Sequence, residues 1–338
     1  MIERLPIPVQ EEEPPALLVV IDTEEEFDWH RPLDRQATSV KALSQIHLVQ
    51  DLFDTYGITP TYVVDWPVAS QEAGFAPLKS FADAGRAVIG THLHPWVSPP
   101  YEEDVTPFNS FPGNLPRPLE AEKLHRLSAK ITDSFGHRPL VYKAGRYGLG
   151  PHTAEILAEQ GYLVDLSACP AFDYSPGEGG PDYSNYSAHP YWFGPGRALL
   201  GLPRTGAFVG YLQRQAGWLY PLATHPALRW AKGPGILSRL GALDRLGLSP
   251  EGYDFSDLKR LTDAQLRLGV RTFSFCFHSP SVMPGCTPFV SNQADLEQFL
   301  DRFRHYFDYF LGQLKGVSWT PLTYRDHLIK SSTGRITT

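Results

Sequence analysis

Ala16–Asp22 reads ALLVVID, six apolar residues that run straight into a carboxylate. A short, β-branched run without alternation reads as a strand buried on both faces, which demands cover above and below. The pattern then repeats along the chain. Ser39–Tyr56 places Leu43, Ile46, Val49, Leu52, Phe53 and Tyr56 at helical spacing before Gly57. Thr61–Asp65 reads as a second strand, Pro77–Ala84 as a helix and Ala87–His94 as a third strand. Leu119–Phe135 follows as a helix, Pro139–Lys143 as a strand, Pro151–Gln160 as a helix and Tyr162–Leu166 as a fifth strand. Strands alternating with helices predict an α/β fold, a parallel sheet or barrel with helices outside.

From Ser167 to about Glu251 the rhythm breaks. Two short strands (Tyr191–Phe193, Ala198–Leu202) and two helical stretches (Pro226–Lys232, Ile236–Leu246) read as an elaborated insertion, residues 167–251. The rhythm resumes with a helix at Phe255–Leu268, a strand at Thr272–His278, an amphipathic helix near Asp295–Leu314 and a last strand at Gly316–Trp319. Residues 1–15 and 331–338 read as tails on a single domain spanning 16–330.

Composition excludes several classes. The 338 residues carry a formal charge of −7, with no run of five basic residues. That argues against nucleic acid or an anionic membrane surface as the main partner. No apolar run approaches the ~18 residues of a membrane span. The acidic, Pro-rich start has no signal-peptide core, so a cytoplasmic location is expected. Cys169, Cys276 and Cys286 show no CxxC spacing, which points away from a disulfide framework or a Cys-rich zinc site. The 29 glycines and 31 prolines are scattered through aromatic-rich stretches, as in long, well-defined loops.

Parallel α/β proteins carry their reactive groups at the C-terminal ends of strands. Here the first strand ends in Asp22-Thr23-Glu24, the third in His92-Leu93-His94-Pro95-Trp96, and the fourth runs into Lys143-Ala144-Gly145-Arg146-Tyr147. The fifth ends near Asp165 and the late strand in His278. Alternate residues of a strand share a face, so His92 and His94 can reach one metal ion, and Asp22 and Glu24 can do the same from their strand. Two histidines, one carboxylate and an open position form a normal catalytic zinc arrangement. Glu25, Glu26 and Asp28 read as a solvated loop. Lys143 or Arg146 could hold a carboxylate ionised or bind an anionic group. His278 could serve as the acid that the set otherwise lacks. Trp29, Trp96, Tyr101 and Tyr147 lie beside these motifs as candidate stacking surfaces.

The segments IDTEEEFDW, IGTHLHPW, YKAGRYGLG and FSFCFHSPS, in this order, resemble the motifs of the polysaccharide deacetylases, the NodB-like group or carbohydrate esterase family four. The resemblance runs from about Leu17 to Trp319. It implies a distorted (β/α)7-type barrel, a divalent metal (most often zinc) and hydrolysis of N-acetyl or O-acetyl groups on a sugar or polysaccharide precursor. By motif, Asp22 matches the catalytic base, Glu24, His92 and His94 the metal ligands, and His278 the general acid. Lys143 falls where the family has an arginine that pairs with the base, and Arg146 near the residue whose backbone N–H stabilises the oxyanion. This chain departs from the pattern in its His-x-His spacing, where His-x-x-x-His is usual. It also has Asp-Thr-Glu in place of adjacent aspartates, Lys143 in place of arginine, and no clear counterpart of the fourth-motif tryptophan near Asp165. It therefore reads as a divergent branch. The rival readings are a cyclic amide or ureide hydrolase of the same fold, a non-haem iron oxygenase and a non-catalytic carbohydrate-binding relative.

Overall fold

The computed structural model describes residues 3–7, 12–225 and 232–333. In chain order its first elements are β1 (Arg4–Pro6), β2 (Ala16–Thr23), α1 (His47–Thr55), β3 (Thr61–Val64), α2 (Trp66–Ser70), α3 (Glu72–Asp83) and β4 (Val88–Leu93). Next come α4 (Arg117–Phe135), β5 (Val141–Ala144), α5 (Thr153–Glu159), β6 (Val164–Asp165), β7 (Tyr191–Phe193), β8 (Leu199–Gly201) and β9 (Gly206–Val209). The chain continues through α6 (Ala216–Thr224), α7 (Gly233–Arg239), β10 (Asp244–Gly247), α8 (Phe255–Arg267) and β11 (Thr272–His278). It ends with α9 (Gln293–Phe307), β12 (Val317–Ser318) and α10 (Pro321–Thr333).

Seven strands pair in parallel in the order β11-β2-β3-β4-β5-β6-β8, and the sheet curls into a half-barrel of the predicted (β/α)7 type. The all-apolar reading of the first strand holds, since every residue of β2 is buried. Leu17, Val19 and Ile21 face the helical layer, while Leu18 and Val20 face an inner core with Val63, Val141, Val164 and Leu200. The stretch read as an insertion splits in two: β7 and β8 extend the sheet itself beyond β6, and the later part lies along the outer edge of β11, where the Cys276 N–H donates to the Leu248 carbonyl (3.0 Å) and the Ser274 N–H to Thr205 Oγ1 (2.8 Å).

Register places the candidate site residues. His278 on β11 lies directly beside Asp22 on β2, and His92 on β4 beside Lys143 on β5. Gly90 lets β4 sit this close, because a Cβ there would lie 2.9 Å from the Val141 carbonyl oxygen.

Several sequence expectations change. Residues 1–15 are not all tail, because β1 pairs antiparallel with β7. The predicted helix Ile236–Leu246 ends early: Gly241 adopts a left-handed conformation (φ 63°), and Asp244–Gly247 pairs instead with β9. Of the predicted helix Pro226–Lys232, residues 226–231 lie outside the described residues. α2 and α10 were not expected. α10 reaches into the stretch read as a C-terminal tail, and its Tyr324 and Leu328 complete the inner core. Among the described residues no helix is long and apolar enough to cross a membrane.

Candidate active site

Three donors converge from two strand ends. Glu24 Oε2 lies 3.5 Å from His92 Nε2 and 3.4 Å from His94 Nε2, and all three residues are buried. The tautomers follow from the other ring nitrogens. His92 Nδ1 donates to the Lys143 carbonyl (3.0 Å), and His94 Nδ1 donates to Glu25 Oε2 (2.9 Å). Both Nε2 lone pairs are thereby turned towards Glu24, in the arrangement that orients metal-binding imidazoles. Glu24 Oε1 is buried without a hydrogen-bond partner. Burial, and then the charges of Glu25, Asp22, Asp65 and Glu251, push the Glu24 carboxyl well above its ordinary range. A buried, crowded carboxylate with an orphaned oxygen and two aimed imidazoles suits a divalent cation.

Asp22 stands beside this triad under opposite control. Burial alone would raise its pKa, but the Lys143 ammonium, then His92 and His278, bring it down to about 2. Lys143 Nζ lies 2.6 and 2.7 Å from the two Asp22 oxygens, with both side chains buried. Lys143 therefore holds both oxygens from one point. On the other side, His278 Nε2 lies 3.8 Å from Asp22 Oδ2. Enclosure by itself would depress the His278 pKa, yet Glu251 and Asp22 leave it raised. His278 Nδ1 donates to Glu251 Oε2 (2.8 Å), while the His278 N–H and the Ser281 hydroxyl donate to Oε1.

These groups open on a cleft of about 430 Å³ that Asp22, Glu24, His92, His94, Arg146, Tyr147, Trp29, Trp96 and His278 all line. Trp29 is half-buried and meets His278 edge-on at 5.1 Å. Tyr147 stacks on Tyr174 at 5.4 Å. Trp96 is placed differently from the expectation of a free stacking surface. It is buried, lies flat on the His94 ring at 4.2 Å and donates its indole N–H to Glu25 Oε1 (2.8 Å). Tyr101 is exposed outside the cleft. The Arg146 side chain pairs with Glu178 and donates to Ser110 Oγ, so Lys143 alone serves Asp22. Gly145 has a packing reason: a Cβ there would lie 2.6 Å from His94 Cδ2.

The reading of Glu25 as solvated loop is overturned. Glu25 is fully buried, receives His94 and Trp96, and burial lifts its carboxyl to about 7. Its own N–H donates to Asp65 Oδ2 (2.8 Å), and Asp65 also caps α2 through the Val68 N–H. A clue was available, because Glu25 follows the buried strand by two residues with no glycine or proline between them. Glu251 had none: it lies in a polar loop 27 residues before its histidine.

Neither a scan of protein-family models nor a search of curated proteins finds a match for this chain. Solved structures do match. A Mycobacterium smegmatis protein assigned as a polysaccharide deacetylase superposes with a TM-score of 0.57 at 15% identity, over 98% of this chain and 96% of that one. The fold is that of the polysaccharide deacetylases. A Parabacteroides distasonis protein assigned as a glycoside hydrolase/deacetylase shares this deacetylase fold, with a TM-score of 0.54 at 11% identity over 94% of this chain and 70% of that one. So does PuuE allantoinase, at 0.50 and 17% over 92% and 89%. At such identities the likeness is one of fold, and any chemistry rests on this chain's own residues.

Proposed function

We propose that this chain is a divalent-metal-dependent hydrolase that removes acetyl groups from a sugar or polysaccharide precursor. The observation that carries the reading is a single cleft holding three metal-type donors, an ionised carboxylate and a histidine with its own carboxylate. Glu24, His92 and His94 would hold the ion, and two imidazoles with one carboxylate suit zinc. When bound, such an ion supplies Lewis-acid polarisation of the acyl oxygen and acidifies water. Asp22, kept ionised by Lys143, accepts the proton of the attacking water. His278 delivers a proton from Nε2 to the departing nitrogen, while Glu251 holds Nδ1 and so the ring. Arg146 and Tyr147 are consecutive residues with φ of 53° and 60°. Their turn offers peptide N–H groups to the developing oxyanion. Trp29 and Tyr147 provide faces for a sugar ring, and Trp96 is a positioning residue for His94.

The test is acetate release from a panel of N-acetylated sugars and oligosaccharides, run beside ureides such as allantoin. The zinc-loaded parent is expected to release acetate, and Asp22→Asn and His278→Ala to lose about 10²-fold or more each. Ureide opening without acetate release would move the reading to a cyclic amide hydrolase. Glycan binding that is indifferent to chelator, with no turnover, would reduce the chain to a binding protein.

A further inference from the structure

The net negative charge conceals a segregated stretch. From Tyr183 to Leu243, 61 residues contain no Asp or Glu but six Arg or Lys. The same stretch carries α6 and α7. Ala216 is the one buried residue of α6, and α7 has none. Trp218 and Leu222, one turn apart on α6, are 63% and 52% exposed. Ile236 on α7 and Leu240 at its C-terminal cap, again one turn apart, are 50% and 65% exposed, and Tyr211 just before α6 is 71% exposed. A single exposed apolar residue needs no explanation, but two successive helices each presenting an i,i+4 apolar pair do.

α6 is anchored through its tyrosine. Tyr220 of α6 packs on Phe208 at 4.9 Å, and the Arg245 guanidinium lies over both Tyr220 and Phe172. Phe172 stacks on Tyr174, which stacks on Tyr147 in the cleft wall. Arg214, Lys232 and Arg239 are exposed, each within four residues of an apolar pair in the sequence. Asp244, which ends the acid-free stretch, is engaged by Ser238 (2.9 Å) and Arg260 (3.7 Å).

We propose that α6 and α7 dock on the surface of an anionic lipid bilayer. The apolar pairs would enter the headgroup boundary, with Arg214, Lys232 and Arg239 among the phosphates. Exposed apolar pairs flanked by cations in the sequence, with no carboxylate along the stretch, complement a negative surface. A second copy would instead set like charges against each other. The proposal is independent of the reaction in the cleft.

The test is co-sedimentation of the full chain with phosphatidylcholine vesicles and with equal-part phosphatidylglycerol/phosphatidylcholine vesicles. Binding is expected on the anionic vesicles and to weaken with salt. Trp218→Ser/Leu240→Ser should reduce partitioning about tenfold or more, and Arg214→Gln/Arg239→Gln by a similar factor. All four positions are exposed, and unchanged melting would confirm that the variants fold. No partitioning at millimolar lipid would overturn the proposal. Equal binding to both vesicle types, indifferent to the arginine pair, would overturn it too. A dimer in sedimentation that Trp218→Ser/Leu240→Ser dissolves would assign the face to a second copy instead.

Discussion

Lys143 decides the protonation state of Asp22, so removing it has a computable sign. In Lys143→Met the burial of Asp22 goes unopposed by its main cation, and the carboxyl pKa rises from about 2. Asp22, the proposed base, would then be neutralised at higher pH, moving the acidic limb of the rate profile upward. An uncompensated buried charge also costs about 3–5 kcal/mol, to be read from urea unfolding near neutral pH. Glu251→Gln acts on the other limb. Without that carboxylate, enclosure depresses the His278 pKa, so the proposed acid loses its proton at lower pH. The basic limb of kcat/KM should move down with a loss of about 10-fold or more. A flat loss with an unmoved limb would make Glu251 merely structural. Of these partners, Asp22 and His278 were legible from their places at strand ends. Glu251 was not, because only register and loop path bring it to His278.

The elements carry their own titration. Glu120 sits in the first turn of α4, buried, with one oxygen receiving the Thr153 hydroxyl (2.5 Å) and the other unpartnered. Burial, only partly offset by Thr153 and Arg117, raises its carboxyl from 4.5 to about 7. Folding therefore favours its protonated form: the contribution is fully present below about pH 4.5 and lost as pH rises through about 7. Glu120→Gln should remove that slope, gaining up to about 3 kcal/mol on the parent at pH 8 and little at pH 4. Unfolding curves at the two pH values check it. Most elements were legible because their periods are strong: β2 and β11 from apolar runs, α4 and α9 from helical spacing. α7 and β10 were not, because Leu240–Leu246 is apolar enough for either state, and the turn at Gly241 together with pairing to β9 decides between them.

At the scale of the whole molecule, the centre of the half-barrel holds more buried carboxylates than buried cations. Asp22, Glu24, Glu25, Asp65 and Glu251 are all buried there, with Lys143 beside Asp22. A bound divalent ion should therefore stabilise the entire fold. At a thousandfold excess over Kd the gain is about 4 kcal/mol. Chelator is expected to lower Tm and added zinc to restore it, whereas the His92→Ala/His94→Ala double variant should answer to neither. Elemental analysis of the same two proteins would give about one ion per parent chain and none in the variant. A parent Tm indifferent to both chelator and zinc would remove the metal from the proposal.

Local pattern by itself determined which residues stand at strand ends, because strand periodicity and apolar runs are written within a few neighbouring positions. That is why Asp22, Glu24, His92, His94, Lys143 and His278 could be named from the chain alone. Tertiary structure decided the partnerships. Lys143 and not Arg146 took Asp22, Glu25 went to His94, Trp96 went beneath the ring, and the Glu24 N–H found Ser279 Oγ 255 residues away. Such contacts depend on which strands neighbour each other and in what register. That is a property of how the whole sheet closes on its core, and no window of sequence contains it.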